Sequence, residues 1–122
     1  VTELKNIVEW SEGADITFLV SVTQGGTPVD LTGHSAAMEV RSKPASLGGT
    51  LHLRVATGGA GIELLDQSGA TRGQMRMTLP DTSGTSWVDG IADVWVKSPS
   101  QTRGQPVLRF PVRLIRKVTV GV

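Results

Sequence analysis

Two histidines, His34 and His52, are the residues best suited by type to do chemistry in this chain. A metal centre would need a third nitrogen, oxygen or sulfur ligand converging on them, and the spacing around them supplies none. Paired carboxylates could do acid–base work if they met in a pocket. Asp66, Asp81 and Asp89 instead fall in turn-like stretches, where aspartate is favoured for bonding its own backbone. The pairs Gly25-Gly26, Gly48-Gly49 and Gly58-Gly59 lack the Lys-Ser/Thr tail and the following helix of a phosphate cradle, so they read as turn glycines. Serines are plentiful, yet no Gly-x-Ser-x-Gly elbow appears. With no cysteine in the chain, thiolate chemistry, disulfides and Cys-bound zinc are excluded. No catalytic residue, metal or cofactor is expected: the chain reads as a non-enzyme, working as a surface for other proteins.

Charge is near balance at +1, but unevenly spread. Glu3, Glu9, Glu12 and Asp15 make the start acidic against Lys5 alone. Beyond Asp93 there is no acidic residue, whereas Lys97, Arg103, Arg109, Arg113, Arg116 and Lys117 follow. Such a division suits a nucleic-acid footprint, or two ends that meet opposite charges on neighbouring subunits, or merely exposed strand faces. Single-strand binders interleave basic residues with stacking aromatics. Here the basic third offers only Trp95 and Phe110, and Phe110 falls on the inward register, so nucleic acid is not an expected partner. No apolar run reaches the length of a membrane span and no secretory leader is visible, so synthesis and folding in a cytoplasm are expected.

At 122 residues the chain is read as one domain, 1–122. Period-two alternation, the mark of half-buried strands, dominates it. Strands are expected at Leu4–Trp10, Asp15–Thr23, His34–Arg41, Thr50–Val55, Ile62–Leu65, Arg72–Leu79, Ile91–Lys97 and Val107–Val120. Pro111 would cost the last of these a ladder bond, placing it at an edge or a bulge. Both histidines fall on outward positions. No segment sustains a helical period. Seven or eight strands, each with one apolar face, imply an all-β, single antiparallel β-sandwich. Residues 1–12 would form an edge strand or an assembly arm.

The run from Gly13 to Arg41 is the most specific. It places Ile16, Phe18, Val20 and Val22 on one strand face, then turns through Gln24-Gly25-Gly26-Thr27-Pro28. Next comes a corner, Val29-Asp30-Leu31-Thr32-Gly33, before alternation resumes with Ala36, Met38 and Val40. In the corner Pro28 fixes its own φ, Asp30 can bond nearby backbone, Gly33 permits positive φ, and Val29 and Leu31 can plug the sandwich. Gly13 to Asp15, Phe18, Gly26 to Gly33 and Ala36-Ala37-Met38-Glu39-Val40-Arg41 together resemble a known arrangement. It is that of the small immunoglobulin-like β-sandwich domains of tailed-bacteriophage structural proteins, similar to the anchoring domain of siphophage upper-baseplate proteins. Ile62-Glu63-Leu64, Gly73 to Leu79 and Gly90 to Val94 follow the same plan more loosely. Ala92 stands where the family usually has an aromatic, and the chain has no tyrosine.

The resemblance implies a virion structural protein made in a host bacterial cytoplasm. The expected role is a tail-side adaptor or anchor joining tail, baseplate or fibre components, as a homo-oligomeric ring or lattice in contact with other virion proteins. A capsid decoration protein is the alternative. A carbohydrate-binding tail-tip module, stacking sugars on Trp10, Trp87 and Trp95, is the third. Candidate contact residues are Leu4, Ile7, Trp10, Trp87, Trp95, Arg103, Arg109, Arg113 and Arg116.

Overall fold

The computed structural model describes residues 2–44, 47–59 and 61–116. Its strands are β1 (Thr2–Glu3), β2 (Val8–Ser11), β3 (Thr17–Ser21), β4 (Thr23–Gln24), β5 (Thr27–Pro28), β6 (Ser35–Arg41) and β7 (Leu51–Ala56), followed by β8 (Ile62–Leu64), β9 (Gln74–Thr78), β10 (Asp89–Lys97) and β11 (Gln105–Ile115). A six-stranded sheet runs β1-β11-β10-β6-β7, with β2 also on β11; a three-stranded sheet runs β3-β9-β8; β4 and β5 form a separate hairpin. Of the expected opening strand Leu4–Trp10 only the part from Val8 is strand, as β2, while β1 at Thr2–Glu3 precedes it and was not expected; the expected second strand is divided into β3 and β4. The stretch 117–120, expected to continue the last strand, lies outside the described residues.

The two sheets face each other across one core, as a β-sandwich. Met38, Val40, Ala92, Val94 and Val112 come from the large sheet and Val20, Met75 and Met77 from the small one. Alternation generates this directly: the even-numbered residues of β6 and β10 point inward and nearly vanish from solvent. Ala92 faces Phe110 across the ladder, which puts aromatic volume beside the position where the family pattern has its own.

One strand departs from an all-antiparallel plan. β11 is interior, not an edge: β10 pairs with it antiparallel, while β1 and β2 both pair with its other side in parallel. β1 ends opposite Arg109 and β2 begins opposite Val112, so Pro111 lies in the gap between them. The Arg109 carbonyl accepts from Leu4 N at 2.9 Å on that same side. Backbone groups alternate sides along a strand, so the N–H that Pro111 lacks would also have pointed into that gap. An interior proline is tolerated because no partner waits for its proton.

The corner behaves as its residues dictate. Gly25 and Gly26 take φ of 59° and 81° at the tip of the β4–β5 hairpin, the left-handed pair a tight two-residue turn needs. Asp30 Oδ1 accepts from Thr32 N at 3.0 Å and Thr32 Oγ1 at 2.7 Å. Leu31 is fully buried, with Val29 packed beside it. Gln67, which carries no sequence signal, braces this plug: its Oε1 accepts from both Leu31 N and Gly73 N at 2.9 Å, and its Nε2 donates to Leu65 O at 2.7 Å.

Candidate interaction surface

The outward side chains of the large sheet lie in cross-strand rows. One row runs Glu3, Arg109, Asp93, Glu39, Arg54 through the register of β1, β11, β10, β6 and β7. Asp93 and Glu39 stand directly opposite, an unfavourable like-charge pair unless neutralised. Arg109 Nε donates to Asp93 Oδ1 at 2.6 Å, and that hydrogen bond raises the guanidinium's pKa beyond its already high value. Arg41 and Arg54 sit 3.2 and 3.7 Å from Glu39. Two cations thus bracket one carboxylate and a third holds the other, which lets Asp93 be buried to 5% exposure.

The adjacent row is apolar: Pro106, Trp95, Ala37 and Ala56. Alanine at 37 and 56 leaves the flank of the Trp95 indole uncovered, and a groove of about 530 Å³ opens there. Glu39 and Arg54 line one side and Lys97 and Ser35 another, with Gly104 at the rim. A Cβ on Gly104 would come 3.9 Å from Trp95 Cε3, so the loop before β11 sits against the indole. Chemically this is an aromatic anchor site with a charged border, the composition that protein contacts favour at their centres.

The sequence-predicted contact residues divide sharply. Trp95 lies in the groove, and Arg103 is exposed in the loop before Gly104. Leu4 and Ile7 are exposed beside β1 and β2. Trp10 is not a surface residue: it is 6% exposed. Its ring stacks on Phe18 at 5.9 Å and meets Phe110 edge-on at 6.2 Å, tying the two sheets together. Trp87 is likewise buried, stacked on His52 at 5.1 Å and 4°. Its indole Nε1 has no hydrogen-bond partner among the described residues. His52 is therefore half-buried against an aromatic face rather than turned outward, and His34 precedes β6, with Nδ1 3.2 Å from Thr32 O. Two of the three tryptophans required by the carbohydrate reading are spent on packing.

Three arginines of the basic C-terminal third are paired inside the chain. Arg113 Nε donates to Asp89 Oδ1 at 3.1 Å, which also removes Asp89 from the turn assigned to it and sets it at the start of β10. Arg116 donates to Glu12 Oε2 at 2.5 Å and to the carbonyls of Thr85 and Trp87. Acidic start and basic end thus meet within one molecule at Glu12 and Arg116, and Arg109, Arg113 and Arg116 each have a carboxylate partner within the chain. Lys97 and Arg103 have no ion pair among the described residues. No cluster of three or more metal-ligating side chains occurs among the described residues. No helix among them is long and apolar enough to cross a membrane.

Missing from the sequence reading were Ala37, Ala56, Glu39 and Arg54. The signals were the outward Ala37-Glu39-Arg41 face of β6 and the outward alternation of Arg54, and without the register of β7 nothing joined the two.

No protein-family model and no curated protein matches the sequence. Among solved structures the chain is similar to the RIG-5 IG1 homodimer, at 16% identity and a TM-score of 0.43, over 92% of this chain and 90% of that one.

Proposed function

We propose that this protein is a non-enzymatic structural component of a bacteriophage virion, a tail-side adaptor or anchor joining tail, baseplate or fibre components. The observation that carries its role as a binding surface is the Trp95 groove, an indole flank left open by Ala37 and Ala56 on its β6–β7 side and bordered by Glu39, Arg54 and Lys97. Side chains of this kind on a sheet face serve association better than catalysis. Support for the virion setting comes from the sequence resemblance, whose most specific residues, Gly26 to Gly33, build the corner that Leu31 plugs into the core. Its partners would be other virion proteins and further copies of itself.

Separation of purified particles into heads and tails, with each fraction probed by mass spectrometry, tests the reading. Tens of copies or fewer in the tail fraction is the expected result. Hundreds of copies in heads would make the chain a capsid decoration protein instead. Absence from both would end the virion assignment.

A further inference from the structure

Both lateral edges of the large sheet are open: no strand among the described residues pairs with the outer side of β7 or of β1 and β2. Open edges invite another strand. The same cross-strand rows that organise the outer face also decide what stands at each edge. The charged row begins with Glu3 on β1 and ends with Arg54 on β7. A second row passes through Pro111, Ile91, Arg41 and Leu51. Ile7 precedes Val8 as Pro111 precedes Val112, its register partner, so Ile7 stands at the near end of that row. Ile7 and Leu51 are 49% and 45% exposed, large apolar side chains at opposite ends of one row.

We propose that copies of this chain join head to tail, the β1–β2 edge of one against the β7 edge of the next. The proposal rests on the reading of the chain as an assembly subunit and names the contact. Strand direction permits it. β1 and β2 run parallel to β11, and three successive antiparallel pairings from β11 through β10 and β6 leave β7 antiparallel to them. Side by side in the same orientation, the two edges meet as an antiparallel pair. Glu3 then approaches the neighbour's Arg54, and Ile7 its Leu51. Arg54 is free to turn outward, since its side chain is half exposed and its bond to Glu39 is a long 3.7 Å. Joining like edges through a two-fold axis would instead leave the Glu3 and Arg54 of each copy on opposite sides of the molecule and could not pair them. The double match of Glu3 to Arg54 and Ile7 to Leu51 arises in the heterologous arrangement, which closes as a ring or grows as a filament and does not stop at a dimer.

Sedimentation velocity of the full chain over a range of concentrations, at low salt, tests this. Wild type is expected to form species larger than dimers. Glu3→Arg and Arg54→Glu, each at an exposed position, are each expected to weaken association about tenfold or more. Mixed in equal amounts they should associate again. The unaltered Glu3 of one variant meets the unaltered Arg54 of the other, and at the alternate contact the two introduced charges are again opposite. Leu51→Lys supplies an independent loss at the same edge, and circular dichroism identifies any variant that has not folded. A wild-type chain that stays monomeric or stops at dimers would overturn the proposal, as would a folded pair whose mixture does not reassociate. A chain that is monomeric in solution yet present in particles would sink this contact and leave the virion reading standing.

Discussion

Replacing Arg116 with alanine should be among the most damaging changes available at a side chain that is not buried. Its guanidinium joins three segments remote in sequence: Glu12 after β2, and the carbonyls of Thr85 and Trp87 in the loop between β9 and β10. A charge-assisted bond to a carboxylate contributes about 1.5–3 kcal/mol and each bond to a carbonyl about 1 kcal/mol. Arg116 is 34% exposed and Glu12 16%, so water replaces part of what is lost. About 3 kcal/mol remains. At about 2.1 cal/mol/K per residue, 122 residues give an unfolding entropy near 0.25 kcal/mol/K, so the melting temperature should fall by about 12 °C. Differential scanning calorimetry reads this directly. Arg116→Lys keeps a charge but not the planar fork and should recover less than half of the loss. A fall below about 3 °C for the alanine variant would refute the view that Arg116 clamps the loop to the amino-terminal segment.

Deletion of residues 2–11 should destabilise the fold and not merely block assembly, because it removes Trp10 from the aromatic cluster and both parallel partners of β11; Trp10→Ala alone should cost about 3–5 kcal/mol in urea unfolding. A truncated chain as stable as the full one would contradict this. Asp30, Asp66 and Asp81 are each held below the ordinary carboxyl value of 3.8, chiefly by the Thr32 hydroxyl, the Ser68 hydroxyl and the Ser83 N–H in turn. Their folded pKa lies under the unfolded one, so the stability they add is complete above the unfolded value and is lost as pH falls from there through the folded one. Melting temperature should be flat in neutral solution and drop in acid below it, and the triple Asp→Asn variant should blunt the drop. Gly73→Ala should lower stability by about 3 kcal/mol in the same urea assay: φ is +82° and the new Cβ would lie 2.7 Å from Val22 O. Trp95→Ala should fold with little loss of stability yet bind the partner proposed for the groove about 30-fold more weakly, or worse, in a pull-down titration.

Local chemistry was legible in the sequence, and long-range pairing was not. Alternation placed β3 and β6 with their correct inward faces and found the spans of β9 and β10, and the corner announced itself through Pro28, Asp30 and Gly33. Pro111 was a true signal whose meaning depended on neighbours about 100 residues away: it marks the gap between β1 and β2, not an edge. No local pattern distinguishes a parallel partner from an antiparallel one. Nor does any show that Arg116 reaches Glu12, or that Gln67 braces Leu31. Each tryptophan looked alike in sequence, and only the assembled core separates Trp10 and Trp87 from Trp95. The groove was half visible, since Trp95 stood out while its two alanines did not. Small residues signal a groove only once the register sets them beside an aromatic ring.

The central claim is that the outer face of the large sheet, at Trp95, is where another virion protein binds. Its most direct test puts a photocrosslinking amino acid at position 95 in assembled particles, with the same probe at Leu19, exposed on the outer face of the small sheet, as the control. The account predicts a covalent product with a second virion protein from position 95. A product from position 19 with none from position 95 would contradict it.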